Sequence, residues 1–440
     1  MIAKVMYSLL CVLLVGVVAF TTHYTRYTYP DALDTHLQAI SKEVHPSGSA
    51  GIVKLRAYIA AHIPPSLQVE LQEFTVEGVK MVNILAYKDN DKPDTKMVSV
   101  HYDSAAHSYG AGDIGTGVAA ALTLLPQWAD MELDHNLLAA FVDGEEGLIF
   151  ADGVRVDHWE DTAGAAEVKG DYLYGSRHFV DTYDGRYGDI TTISNWEGRS
   201  TGGKLLLFET VGYSPEEVVA WNRQLPTLAF SLSEEIFMRQ PNTTDVVEYR
   251  RLPEVKIFNF AFIGEGEHYH SLSDTFENVD TVSKATTYTA MKTVATQSIA
   301  ATRNNAGADV YLSVGFYTLS VSLLALQLVA LFCAGYLLCQ LYLGQSKWLV
   351  VPLLTLFANK MTYWLALGAI LFCLVYRYRR RIPQCCATNL VLAIPVILWY
   401  SLVVSIGWLL GFGSVQFLGL LMLLMLIVVS YRCAIKSRVQ

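Results

Sequence analysis

The chain has 440 residues, 52% of them hydrophobic, with a mean hydropathy of +0.31 and a formal net charge of −9. Such hydropathy excludes a wholly soluble globular chain, and the acidic balance excludes a basic nucleic-acid binder. The charge is also unevenly spread, since all 41 Asp and Glu precede residue 311 and nine bases follow it (Lys347, Lys360, Arg377, Arg379, Arg380, Arg381, Arg432, Lys436 and Arg438).

Residues 1–23 hold one base, Lys4, ahead of the apolar run VMYSLLCVLLVGVVAF (5–20). No small-x-small cleavage site follows, because Thr21-Thr22-His23-Tyr24 is bulky. The run is expected to remain as a signal anchor. Residues 24–310 form an acidic domain, with 22 bases against the 41 acids. Its segments DALDTHLQAISKEV (31–44) and GIVKLRAYIAAHI (51–63) read as amphipathic helices, and VELQEFTV (69–76) and MVNILAY (81–87) as strands. KMVSVHYD (96–103) is a nearly continuous apolar strand of the kind found inside a sheet. IGTGVAAALTLLPQWA (114–129) reads as a helix and NLLAAFVDGEE (136–146) as a buried strand that stops at acids. DITTISNWEG (189–198) repeats that plan, VKIFNFAFIGEGEHYH (255–270) repeats it ending in histidine, and TVSKATTYTAMKTVATQSIAATRN (281–304) closes the domain as a helix. Asn242-Thr243-Thr244 is a glycosylation sequon.

From 311 to 440 the composition is that of a membrane. Four apolar runs (319–343, 349–376, 390–410 and 415–430) each approach or exceed the length of a bilayer span. Lys4 ahead of the first span puts the N-terminus in the cytoplasm and the acidic domain in a lumen or outside. Lys360 sits mid-run in 349–376, which points to a re-entrant or broken segment there; a plain crossing is the alternative. All seven cysteines (Cys11, Cys333, Cys339, Cys373, Cys385, Cys386 and Cys433) lie in or beside apolar runs. The acidic domain therefore has neither disulfides nor thiolate ligands.

Alternating strands and helices predict an α/β fold, a mixed, mostly parallel sheet with helices on both faces. Sites in such sheets form beyond the carboxyl ends of the strands. His101, Asp103, Glu145, Glu146, Glu197 and His270 are all expected at that edge, with Asp113 in the glycine-rich loop HSYGAGDIGTG. Singly, each has an ordinary reading: a surface histidine, a helix N-cap at Asp113, a solvated turn at Glu145-Glu146, surface acids at Glu197 and Asp274. Together they are a nitrogen and oxygen ligand set suited to zinc or another first-row divalent ion. Five candidate ligands suit two ions better than one.

These residues resemble the M28 zinc peptidases, and most of all the membrane-bound branch of vacuolar membrane proteases and endoplasmic reticulum metallopeptidases. The resemblance is carried by HYDS (101–104), GAGD (110–113), GEEG (144–147), NWEG (195–198) with GGKLLLFET (202–210), and YHSLSD (269–274). It spans roughly residues 30–305 and implies a zinc aminopeptidase-like fold. It also implies two zinc ions, one held by His101 and Glu197, the other by Glu146 and His270, with Asp113 bridging. Glu145 would be the general base, Asp103 would orient the His101 ring, and Asp274 would support His270. Peptides would be the substrates, aminopeptidase-type cleavage the reaction, and a vacuolar or reticulum membrane the location, with the catalytic domain luminal. The pattern departs from the family at Ile114, which follows the bridging aspartate, and at the long insertion 148–172. DGEE, a tryptophan and LYGSRHF (173–179) also resemble glutaminyl cyclases, a single-zinc branch. Tyr269, where that branch has tryptophan, and the strand after Glu197 favour the peptidase. An inactive receptor or assembly subunit is a third reading, opposed by the intact ligand set.

Overall fold

The computed structural model describes residues 27–151, 154–155, 166–168, 172–230, 233–234, 237, 243–298, 310–314 and 317–321. The anchor run 5–20, Asn242 of the sequon, and all of the four later apolar runs except 319–321 lie outside them. Among the described residues no helix is long and apolar enough to cross a membrane. The first compact unit, Met1–Asn305 with Leu312–Leu319, contains the site.

Two helices open the fold, α1 (Asp31–Ile40) and α2 (Ala50–Ala61). Leu33, Leu37 and Ile40 form the buried stripe of α1, at the spacing that one helix face requires. The helix ends at Ile40, four residues short of the end of the predicted segment 31–44, and at its C-cap the Ser41 hydroxyl and N–H both turn back to the Leu37 carbonyl. Ser49 caps α2 by accepting from the Ile52 N–H.

The hairpin β1 (Gln68–Val76) and β2 (Val79–Lys88) turns through Glu77 and Gly78, both at positive φ. The strands β3 (Asp94–His101) and β4 (Asn136–Val142) are almost wholly buried, and α3 (Thr116–Asp130) joins them. Three short strands, β5 (Ile149–Ala151), β6 (Val154–Arg155) and β7 (Ala166–Val168), make a separate small sheet. Then come α4 (Tyr174–Thr182), β8 (Asp189–Gly198), β9 (Gly202–Val211), α5 (Pro215–Asn222), β10 (Leu228–Phe230), α6 (Val246–Tyr249), β11 (Lys256–Gly264) and α7 (Thr281–Thr296). Strands β12 (Val310–Val314) and β13 (Tyr317–Val321) end the described chain.

The main sheet runs β1-β2-β4-β3-β8-β11-β9-β10-β12-β13. It is mixed, as expected, but the expectation of a mostly parallel sheet holds only for its centre. β4, β3, β8 and β11 are mutually parallel neighbours. Outside them β1–β2, β2–β4 and β9–β11 are antiparallel, and β9–β10 is parallel again. The reason at the first edge is connection length. A two-residue turn can join only antiparallel strands, whereas parallel ones need a crossover.

Helices cover both faces. Met97, Leu138, Ala140 and Val142 pack with Phe179 of α4 and Tyr249 of α6, and the Ser99 hydroxyl meets that of Tyr249 at 2.6 Å. The alternate residue Val100 lies against Gly117 of α3. Period-two alternation along β3 thus feeds two apolar layers from one strand.

Candidate active site

The four parallel strands end at the same edge, and every predicted site residue lies on the chain that leaves them. His101 ends β3, with Asp103 two residues on. Glu145 and Glu146 occupy the turn after β4. Glu197 is the penultimate residue of β8. His270 was expected at the end of a strand, but β11 stops at Gly264 and a short helical turn, Gly266–His268, carries the chain to it. His270 takes a left-handed backbone, φ 52°. For a residue other than glycine that conformation costs about 1–3 kcal/mol and is typical of functional sites.

Asp113 sits in a wound turn, Ala111–Gly115, just before α3. Its own φ and ψ, −110° and 90°, are not helical, and the helix cap is Gly115. The ordinary reading of Asp113 as an N-cap is therefore excluded. Two glycines permit the turn to press on β8. A Cβ on Gly198 would fall 1.8 Å from the Gly112 carbonyl oxygen, and one on Gly112 would fall 2.1 Å from the Ser200 carbonyl oxygen.

This contact brings all five candidate ligands together. His101 Nε2 lies 3.6 Å from Asp113 Oδ1 and 3.7 Å from Glu197 Oε2. His270 Nε2 lies 3.2 Å from Asp113 Oδ2 and 3.0 Å from Glu146 Oε1. The two triads, His101–Asp113–Glu197 and Asp113–Glu146–His270, each keep their ligand atoms within 4.8 Å of one another. They share Asp113 through different oxygens. His101, Glu145 and Glu146 form a third such group.

A divalent cation fits this donor set, and His101 supplies the test. Its Nδ1 donates to the Asp103 carbonyl at 3.0 Å, so in the neutral ring Nε2 carries the lone pair. That atom is buried, has no hydrogen-bond partner and faces two carboxylates. A buried acceptor aimed at anions is costly unless a cation lies between them.

With no cation between these groups, a proton takes its place. Burial pushes the His101 ring toward neutrality, yet Asp103, Asp113 and Glu197 outweigh it and raise its pKa well above the usual value. The same contest, with Glu146 and Asp113 as the anions, raises His270 to about 10. Asp113 is raised by burial but is held well below the carboxylate range by the two histidines. Burial lifts Glu145 well above the usual range; Glu197, Glu146 and Asp245 add to the rise and His101 opposes it.

Two supporting residues take different parts from those expected. The Asp103 carboxylate lies 3.6 Å from His101 Nδ1, and it is the Asp103 backbone carbonyl that orients the ring. Its oxygens instead accept the N–H groups of Glu145 (3.1 Å) and Glu146 (3.0 Å). A carboxylate with two lone-pair-bearing oxygens suits two adjacent donors better than one ring nitrogen. Asp274, expected beside His270, accepts from Gly112 N (2.6 Å), Asp113 N (3.2 Å) and the Ser108 hydroxyl (3.1 Å). It secures the Asp113 turn.

Sequence reasoning passed over two buried acids. Asp143, in FVDGEE, accepts from the Ser47 hydroxyl (2.6 Å), Arg56 (3.0 Å) and Val82 N (3.1 Å), fixing the start of the Glu145-Glu146 turn. Its strand-end position was the available signal. Asp245 is fully buried near Glu145 and Glu197, and both its oxygens lack a hydrogen-bond partner. Ser176 beside it spends its hydroxyl on the Leu173 carbonyl. Burial, then Glu197, raises Asp245 to about 7. No local pattern marks it.

Fold and pocket together define a class: an α/β domain whose central strand ends converge on a nitrogen and oxygen pocket that could hold a metal ion. Residues 83–295 of the acidic domain match the model of Peptidase family M28, so that domain is similar to that family. Among curated proteins it is 28% identical over 194 residues to a vacuolar membrane protease of Schizosaccharomyces japonicus, covering 40% of this chain and 20% of that one. It is 23% identical over 266 residues to the Schizosaccharomyces pombe vacuolar membrane protease, covering 55% and 28%. The chain thus matches under a third of the length of these relatives. A leucine aminopeptidase precursor from Bacteroides thetaiotaomicron superposes with a TM-score of 0.46 at 14% identity, covering 62% of this chain and all of that one. A Fimbriiglobus ruber glutaminyl cyclase gives 0.45 at 17%, covering 60% and 94%.

Proposed function

We propose that the acidic domain is a zinc-dependent peptidase that hydrolyses peptide bonds by an aminopeptidase-type reaction. The observation that carries this reading is the pair of ligand triads joined through the two oxygens of Asp113. His101 and Glu197 would hold one zinc ion, Glu146 and His270 the other, and Asp113 both. Zinc, when bound, supplies a Lewis acid for the peptide carbonyl and lowers the pKa of a water.

The chain's own residues do the rest. Glu145 makes no ion pair with either histidine, and burial raises its pKa above the usual carboxylate range, which makes it a stronger base than an exposed glutamate. It would take a proton from the attacking water and deliver it to the leaving amine. Asp103 holds the backbone of Glu145 and Glu146, so one carboxylate sets base and ligand in register. Burial of Asp113 and Glu197 keeps bulk water from the ligand carboxylates.

The names of its relatives support a vacuolar membrane location; Lys4 ahead of the run 5–20 supports a luminal domain, and the apolar composition after 311 supports runs that lie in the bilayer. Sequence 5–20 would be the anchor and 24–310 the catalytic domain. The single-zinc cyclase reading is the rival, and it leaves one complete triad without a use. Assay of the zinc-loaded full-length chain on aminoacyl reporters and on an N-terminal glutamine peptide separates the two. Hydrolysis without pyroglutamate formation is expected; pyroglutamate as the main product would overturn the proposal.

A further inference from the structure

We infer that Arg199 makes this site selective for peptides that carry a carboxylate beside the bond to be cleaved. The inference rests on the peptidase reading and adds a substrate class to it. Alternation along β8 puts Asn195, Glu197 and Arg199 on one face, and Asn195 Nδ2 donates to Glu197 Oε1 at 2.8 Å. Beyond Gly198 the ladder continues, since Arg199 N donates to the Phe262 carbonyl at 3.0 Å. The guanidinium therefore emerges on the side that Glu197 gives to the metal pocket. It is half-buried there and interacts electrostatically with Tyr269, Glu197, Asp113 and Glu145. Tyr269 in turn stacks on the His270 ring, 3.8 Å between centroids. His270 is the most open of the five candidate ligands, its side chain 38% exposed, so Arg199 stands at the mouth of the pocket.

What the guanidinium lacks is an anion in direct contact. Its side chain makes one hydrogen bond, from Nη2 to the Thr243 carbonyl at 3.2 Å, and no ion pair among the described residues. A guanidinium has five N–H donors in a planar fork that matches a carboxylate. Tyr269, Glu197, Asp113 and Glu145 outweigh burial and stabilise that charge from a distance, and a ligand carboxylate would give it the direct, bidentate partner it lacks. The nearby acids are not available for this part. Asp113 and Glu197 face His101, and bound cations would engage them. A purely structural role, tying β8 to the Thr243 loop, uses one donor and no charge.

Two kinds of peptide present the required group: short peptides through the α-carboxylate, and acidic peptides through an Asp or Glu side chain. Four substrates distinguish them: Leu-Leu, Leu-Leu amide, Leu-Glu amide and Glu-Leu amide. On the zinc-loaded full-length chain in detergent, at least one carboxylate-bearing peptide is expected to exceed Leu-Leu amide in kcat/KM. Arg199→Gln, which keeps a donor for Thr243, should shrink that ratio about 10- to 100-fold, with Arg199→Lys between. The favoured peptide identifies the source of the carboxylate. Equal kcat/KM on all four, or a proportional loss on all four in Arg199→Gln with zinc content intact, would overturn the inference. Calorimetric binding of the same peptides to the Glu145→Gln chain gives a readout independent of turnover. If the native chain cleaves no peptide, the peptidase reading fails, and the binding ratio alone then decides for or against Arg199. Binding of none of the four would overturn both.

Discussion

Glu145 and Glu146 are neighbours in sequence with different partners. Glu146 reaches His270 at 3.0 Å, and Glu145 pairs with neither histidine. Glu145→Gln should therefore retain metal and lose about 10²–10⁴-fold in kcat, the usual share of a general base. Glu146→Ala should lose metal. Near-native turnover in Glu145→Gln, read beside its zinc content, would reverse the assignment. Asp103 gives a second test at this scale. Asp103→Asn replaces one carboxylate oxygen by an amide N–H that must face a backbone donor. The unpaired donor should cost about 1–3 kcal/mol. Thermal melting and kcat should fall together, whereas a role confined to the His101 ring would leave the Glu145 turn, and hence stability, unchanged. The glutamates themselves were legible, because an apolar strand running into consecutive acids is a local pattern. The true partner of Asp274 was not: it bonds Gly112 and Asp113, more than 160 positions away, and no short motif encodes such a distance.

At the scale of elements, the Asp113 turn and the end of β8 form one unit, closed by the Gly112–Gly198 approach. The glycines of the loop were readable as a demand for a tight turn. That Gly198 serves the same contact from the other side was not, because its reason lies in the opposing backbone. Gly198→Ala should force the two segments apart, destabilise the domain by about 1–3 kcal/mol and weaken metal binding at the shared Asp113. An unchanged melting temperature together with full metal content would show that the contact has slack. The sheet repeats the lesson. Buried apolar runs showed β3, β4, β8 and β11 as interior strands, but strand direction at the flanks depends on turn length and on pairing between distant segments. Hence the antiparallel edges escaped the reading.

For the whole molecule, the buried acids and His270 share one sign in the metal-free state, opposed by His36, His45 and His178, whose pKa values burial lowers. Burial and neighbouring acids raise Asp143 to about 6, and Asp245 and Asp274 to about 7. His270 is raised to about 10 by Glu146 and Asp113 against burial. These acids and His270 each bind a proton more tightly folded than unfolded, where Asp titrates near 3.9 and His near 6.5. The stability they lend is complete below those unfolded values and is lost as pH rises through the folded ones. The chelator-treated chain should accordingly melt at lower temperature at pH 8 than at pH 5. Added zinc should restore more stability at pH 8, since metal competes with protons for the same ligands. A metal-free melting temperature that rises between pH 5 and pH 8 would show that other groups control the balance. The most direct measurement is the zinc content of the purified full-length chain after dialysis against trace zinc, for the native sequence, His101→Ala and His270→Ala. Two zinc ions per chain are expected, falling to about one in either variant; a single ion per chain, unchanged by His101→Ala, would contradict the paired site.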